Sequence, residues 1–213
     1  MGKKKIIGLC LAVGLMVGVV GGSLAWFTDT DTVTNSFSTG SDGEPGDDGK
    51  NGLVIVENFD QEAANKVLPG STVTKAVQTE NRATYSQYIR VKLKKVWKNK
   101  DGQVITQVNG TTLNPDLIEL DFGSNVGAGA GKWTDRTNVD GYYYYNTALA
   151  ASDGVDNSGP DLTNKLLESV KLSDTADNLY KDLKFDVIVE AESIQSENGA
   201  AQDAWGYTPG TTK

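Results

Sequence analysis

Residues 85–97 read YSQYIRVKLKKVW, and apolar side chains alternate with polar or basic ones along most of this stretch. The main apolar positions share one parity: Ile89, Val91, Leu93 and Trp97. Three basic positions share the other: Arg90, Lys92 and Lys94. A period of two is typical of a strand with one buried face. The basic face is open to two interpretations: a solvated strand face, or an electrostatic contact with an acidic partner such as another copy of this chain.

Similar strand patterns recur outward from this stretch, at residues 53–56, 72–78, 104–108, 117–122 and 183–193. Residues 162–170 fit a short helix as well as a strand, and residues 199–205 suggest one helical turn. Eight to ten strands with long loops favour an all-β domain. We predict a jelly-roll-like β-sandwich with short helical insertions over residues 53–206, followed by a flexible tail at 207–213.

The N-terminus has the pattern of a cleavable signal peptide. Lysines at 3–5 precede an apolar stretch at 6–20, and Ser23 and Ala25 occupy the −3 and −1 positions of a small-x-small site. The apolar stretch is shorter than the roughly 20 residues of a membrane span. We therefore predict a signal peptide at 1–25, cleavage between Ala25 and Trp26, and a secreted, extracellular protein.

Composition restricts the function classes. The chain has 213 residues, and without the three signal lysines it carries 17 basic and 28 acidic residues, a net charge of −11. Such acidity is unsuited to nucleic acid. The single cysteine, Cys10, lies in the signal, so we expect no disulfide in the mature chain. The sequence has no histidine, which removes the commonest general base and zinc ligand, and we predict neither an enzyme nor a bound cofactor.

Between the signal and the predicted domain lie two segments of different character. Residues 26–39 suggest an extended strand whose apolar residues share one parity: Phe27, Val33 and Phe37. Residues 40–52 carry glycine at every third position and suggest a flexible linker. Its acidic residues offer oxygen ligands for calcium, although their spacing is not that of an EF-hand loop: Asp42, Glu44, Asp47 and Asp48.

Four consecutive tyrosines at 142–145 place two rings on each face of a predicted strand. These rings and Trp133 have two interpretations. They pack in the core and on its surface, or they form an aromatic platform for a polysaccharide.

Several motifs resemble the TasA/camelysin family of exported matrix proteins of Gram-positive bacteria. They are GGSLAWFTDT at 21–30, NSFSTG at 35–40, LPGSTV at 68–73, YIRVK at 88–92, the tyrosines at 142–145, VEAESIQ at 189–195 and AW at 204–205. The nearest subgroup is the BsaA-type biofilm matrix proteins. The glycine triplets at 40–52 depart from the family pattern.

The resemblance implies a mechanism and partners. It implies processing by a SipW-type signal peptidase, a jelly-roll domain and polymerisation into extracellular fibres by donor-strand complementation. In that mechanism the N-terminal segment of one copy pairs with the sheet of the next. The anchors it implies are Trp26, Phe27, Val33 and Phe37, and matrix polysaccharide is a further possible partner.

Two other functions stay open at this point. One is a monomeric surface adhesin or carbohydrate-binding module. The other is a camelysin-like peptidase, against which stand the missing histidines and the absence of a His-Glu-x-x-His motif.

Overall fold

The computed structural model describes residues 28–38, 52–152 and 158–211, and of residues 28–38 it gives the backbone and its strand pairing. The strands in these ranges are β1 (Thr28–Ser38), β2 (Leu53–Phe59), β3 (Thr72–Asn81), β4 (Gln87–Lys98), β5 (Val104–Ile105), β6 (Gln107–Val108), β7 (Thr111–Thr112), β8 (Ile118–Asp121), β9 (Trp133–Asp135), β10 (Tyr143–Tyr145), β11 (Leu167–Leu172) and β12 (Lys184–Gln195). The helices are α1 (Gln61–Ala64) and α2 (Ala200–Trp205), with 3-10 turns at Pro115–Leu117 and Asn178–Tyr180. The protein is therefore all-β with few helical residues, as predicted.

Two antiparallel sheets make up the body of the molecule. The larger has the strand order β1-β12-β4-β10-β9, with β5 also pairing with β4. The smaller has the order β2-β3-β11-β8, and β6 and β7 form a separate hairpin. The alternating stretch at 85–97 lies largely in β4, where β12 pairs with it over the full length of both strands. These two long strands form the centre of the larger sheet.

A single core joins the two sheets. Its buried members come from β4 and β12 of the larger sheet and from β2, β3 and β11 of the smaller: Ile89, Val91, Val187, Val189, Leu53, Val77, Leu167 and Val170. Each such side chain contributes about 1.5–3 kcal/mol through its burial. Because successive side chains of a strand point to opposite faces, the period-two pattern of the sequence places these apolar side chains on the faces that lie between the two sheets.

Two local predictions need correction or completion. Residues 104–108 form two short strands, β5 and β6, instead of one return strand, because Asn109 and Gly110 adopt positive φ and turn the chain into the β6–β7 hairpin. The ambiguous stretch at 162–170 is not helical, and it leads into β11, which pairs with β3 and β8. The predicted helical turn near 199–205 is confirmed as α2.

Candidate assembly edge and its surroundings

The outermost strand of the larger sheet is the N-terminal strand, β1. It pairs antiparallel with β12 in its own chain over eleven residues, from Thr28 opposite Ile194 to Ser38 opposite Lys184. The predicted anchors Val33 and Phe37 stand at register positions opposite Val189 and Phe185. Both β12 residues are buried in the core. The other predicted anchors and cleavage residues lie outside the described residues: Ser23, Ala25, Trp26 and Phe27.

Without β1, the outer edge of β12 would present a row of unpaired backbone N–H and C=O groups. Such an edge binds another strand readily, because the new strand satisfies these groups in the same pattern. The arrangement can therefore accept β1 from its own chain or an equivalent strand from another.

The basic row of β4 is paired within the chain. The Arg90 guanidinium donates to Glu192 Oε2 through Nε at 2.8 Å and Nη2 at 2.5 Å, and Lys94 Nζ pairs with Glu190. Both glutamates lie on β12 at positions beside β4, so cross-strand register brings the opposite charges together. Of the two interpretations of this row, the structure shows the charges of Arg90 and Lys94 matched by the chain's own carboxylates.

Arg90 also holds an aromatic cluster on the outer face of the larger sheet. Its guanidinium carbon lies 4.0 Å from the ring centroid of Tyr142 and 4.7 Å from that of Trp205 on α2. The Tyr142 hydroxyl donates to Glu192 Oε1 at 2.6 Å. Burial, and then this hydrogen bond, raise the pKa of Tyr142 to about 12. The cluster therefore joins β4, β12 and the C-terminal helix.

The tyrosine stretch divides as predicted, with Tyr143 and Tyr145 in the core and Tyr142 and Tyr144 in the outer cluster. Trp133 is also in the core, with none of its surface exposed, and its indole Nε1 donates to the Asn164 carbonyl at 3.1 Å. A buried indole presents no face to a sugar. Trp133 is therefore a core residue and not part of an aromatic platform.

Residues 207–211 of the predicted C-terminal tail contact the larger sheet. Tyr207 packs edge-on against Tyr144, with ring centroids 5.0 Å apart, and the Arg136 guanidinium lies 4.1 Å from the Tyr207 ring. At Gly210, φ is +78° and a Cβ would lie 2.3 Å from the Asn146 carbonyl oxygen. Aromatic packing and this close backbone approach hold the segment against the sheet, a long-range effect that a polar C-terminal sequence does not reveal.

Replacing Arg90 with alanine is expected to lower the free energy of unfolding by about 2–3 kcal/mol, because it removes a partly buried charged hydrogen-bonding group and its stacking on two rings. The matched control is Lys94→Ala, whose ion pair is more exposed and is worth about 0.5 kcal/mol. Urea unfolding of residues 26–213 at neutral pH measures both. Equal losses in the two variants would contradict the assignment of Arg90 as the organiser of the cluster.

A lysine and a glutamate interrupt the core near β1. Lys75 on β3 is fully buried between the core positions Val73 and Val77, and its Nζ lies 2.7 Å from Glu57 Oε1 on β2. The ring centroid of Phe59 is 5.3 Å from the same nitrogen. Burial lowers the pKa of Lys75 below its ordinary value of 10.5, although the carboxylates of Glu57 and, more weakly, Asp186 oppose this effect. The sequence reasoning missed this pair, for which the available signal was a lysine at the core parity of 72–78.

An apolar groove of about 680 Å³ lies close to the start of β12. Its lining includes Leu68, Leu172, Ala176 and Tyr180, flanked by the charged side chains of Lys66 and Asp182. Leu68 is among the most exposed large apolar residues in the described ranges. The groove is a feature that the sequence did not reveal, because three separate segments build it.

Within residues 28–38, 52–152 and 158–211, no helix has the length and apolar character that a membrane span requires. Over the same ranges, no three His, Cys, Asp or Glu side chains group closely enough to hold a metal ion. The candidate calcium ligands lie outside the described residues: Asp42, Glu44, Asp47 and Asp48.

Comparison of this chain with models of known protein families, with curated proteins and with solved structures found no match to any of them.

Proposed function

We propose that this protein is a secreted structural subunit that polymerises into extracellular biofilm-matrix fibres through its N-terminal strand. A signal peptidase of the SipW type releases the mature chain at Trp26, and the body is a jelly-roll-like sandwich. β1 of one copy leaves its own sheet and pairs with β12 of the next. The observation that carries the proposal is the pairing of β1, the outermost strand of the larger sheet, with the edge of β12 that faces away from β4.

The connection between β1 and the body supports exchange between copies. Residues 39–52 join β1 to β2, and five of them are glycine. An extended chain of this length reaches at most about 45–50 Å. A domain of this size has a radius of gyration of roughly 15 Å, so the connection is long enough to place β1 on a neighbouring copy.

Exchange of β1 between copies costs little strand-pairing energy. β1 from another copy carries the same sequence and restores the same register on β12, so the hydrogen bonds lost within one chain are regained between chains. Each copy both donates β1 and accepts one, which makes the contact head-to-tail. A head-to-tail contact that does not close into a ring generates a filament.

The first test is electron microscopy of residues 26–213 beside a chain that lacks residues 26–40. We expect fibres from the first and none from the second, because the donor strand is absent. Fibres from both chains would overturn the role of β1. Monomers from both, across a range of pH and calcium concentration, would favour the adhesin interpretation.

A second variant separates loss of exchange from loss of folding. Thr32 and Glu190 are register partners in β1 and β12, and such pairs have the Cα separation that a disulfide requires. The double variant Thr32→Cys, Glu190→Cys locks β1 onto its own chain, and the mature chain has no other cysteine. We expect monomers under oxidising conditions and fibres after reduction, with each single cysteine variant as a control. Fibres from the locked chain would show that assembly does not use exchange of β1.

A further inference from the structure

We infer that Lys75, Glu57 and Asn35 form an amide-forming site that joins β1 covalently to the domain into which it inserts. Lys75 supplies the amine, Asn35 of β1 supplies the acyl group, and Glu57 carries the proton between them. Where the two joined residues belong to different copies, the inference rests on the proposed function. It adds a covalent bond between subunits to an assembly otherwise held by strand pairing.

The first step of the argument is the burial of the pair. Lys75 is fully buried and the Glu57 side chain is only 10% exposed, on the face where the other residues of β3 and β2 form the core. A buried ion pair is commonly no more stable than apolar side chains of the same volume. A contribution to stability therefore does not explain why this pair is buried. A chemical role for the buried amine of Lys75 does explain it.

The second step places the pair beside β1. β2, which carries Glu57, comes within 8 Å of β1 between Cα atoms. Asp186 on β12, in the other sheet, also raises the pKa of Lys75, as the weakest of the effects on it. Asp186 is the register partner of Ser36, and the next residue, Val187, is the partner of Asn35. The amine therefore lies near the part of β12 on which residues 35 and 36 of β1 are paired.

The third step identifies the acyl group. Asn35 is the only residue of β1 with a carboxamide. Its register position, opposite the fully buried Val187, falls between those of Val33 and Phe37, which are opposite two further core residues. Asn35 is therefore a polar residue whose two neighbours of the same parity towards the core end of this register are apolar, Val33 and Phe37. An acyl donor at that position is consistent with the amine on the facing sheet.

The chemistry balances without an oxidant or a co-reactant. Proton transfer within the Lys75–Glu57 pair yields a neutral amine and a carboxylic acid, and burial favours these neutral forms. The amine nitrogen attacks the carbonyl carbon of Asn35. Glu57 protonates the departing nitrogen and accepts the proton lost by the attacking one. A C–N bond forms, another breaks, and ammonia leaves, so each bond lowers the mass by about 17 Da.

The test is intact-mass analysis and denaturing gel electrophoresis of assembled residues 26–213, with peptide mapping. We expect a ladder of oligomers that survives boiling in detergent, and one linked peptide that contains Lys75 and Asn35. Asn35→Ala and Lys75→Arg should abolish the ladder, while Lys94→Arg, on the outer face, should leave it intact. Asn35→Asp should lose water instead of ammonia, so that its linked product has the same mass as that of the unaltered chain.

The outcomes separate this inference from the proposed function. Fibres that dissolve into monomers of unaltered mass would overturn the covalent bond and leave strand exchange standing. Monomers that form no fibres, yet are lighter by one ammonia with Lys75 linked to Asn35, would support the bond and contradict polymerisation. A ladder that persists in both Asn35→Ala and Lys75→Arg would overturn the site.

Discussion

Replacing Glu57 with leucine is expected to lower the free energy of unfolding by about 3–5 kcal/mol, the usual cost of leaving one member of a buried ion pair alone. Lys75 is fully buried, and Glu57 Oε1 lies 2.7 Å from its Nζ. The substitution is made in the Asn35→Ala background, so that Lys75 keeps a free amine. Urea unfolding followed by circular dichroism gives the free energy.

The matched control for this variant is Lys75→Met combined with Glu57→Leu. The double substitution removes both charges and fills the site with apolar atoms, so we expect stability within about 1 kcal/mol of the parent, or above it. A Glu57→Leu loss that the second substitution does not recover would mean that shape, and not an unpaired charge, causes the loss.

The same variant has a defined pH dependence. Glu57 raises the pKa of Lys75 against the effect of burial, so its removal moves that pKa further below 10.5. Between the folded-state pKa and 10.5 the unfolded chain binds a proton that the folded chain does not, and stability therefore increases with pH. The penalty is complete below the folded-state pKa and is relieved as pH rises through it. We expect Glu57→Leu to gain stability relative to the double variant as the pH rises through the lowered pKa of Lys75 towards 10.5.

Replacing Trp133 with alanine is expected to cost about 3–5 kcal/mol, since it opens a large cavity in the core and removes the hydrogen bond to the Asn164 carbonyl. Trp133 has no exposed surface, and its ring centroid lies 5.0 Å from that of Tyr145. For a chain of this length the melting temperature should fall by roughly 10 °C. Differential scanning calorimetry measures the change.

This second prediction also addresses the carbohydrate-binding alternative. The control is Tyr142→Phe, which keeps the ring on the outer face and removes only its hydrogen bond to Glu192, at a cost of about 1 kcal/mol. If the parent sediments with insoluble polysaccharide, and a Trp133→Ala chain melts at the same temperature but does not sediment with it, Trp133 binds polysaccharide.

The assembly edge at β1 and its surroundings were only partly predictable from the sequence. The N-terminal strand and its apolar positions are visible in residues 26–39, because the spacing of apolar residues is a local property. The Lys75–Glu57 pair was missed: the lysine at a core position of residues 72–78 is visible in the sequence, but its partner Glu57 emerges only when β2 and β3 are aligned. The contact between Tyr207 and Tyr144 has no local signal in the sequence either, because it forms only after α2 folds onto the sheet.

The sequence by itself determined the all-β class, most of the strands and which parity of each faces the core. Alternation of apolar and polar residues suffices for this, because a strand sends successive side chains to opposite faces. Only the tertiary structure decided that the basic row of β4 meets Glu190 and Glu192, that Trp133 is buried, and that β1 pairs with β12 near a buried lysine. These features depend on strand order and register, which join residues as far apart as Thr28 and Ile194 and which no local pattern encodes.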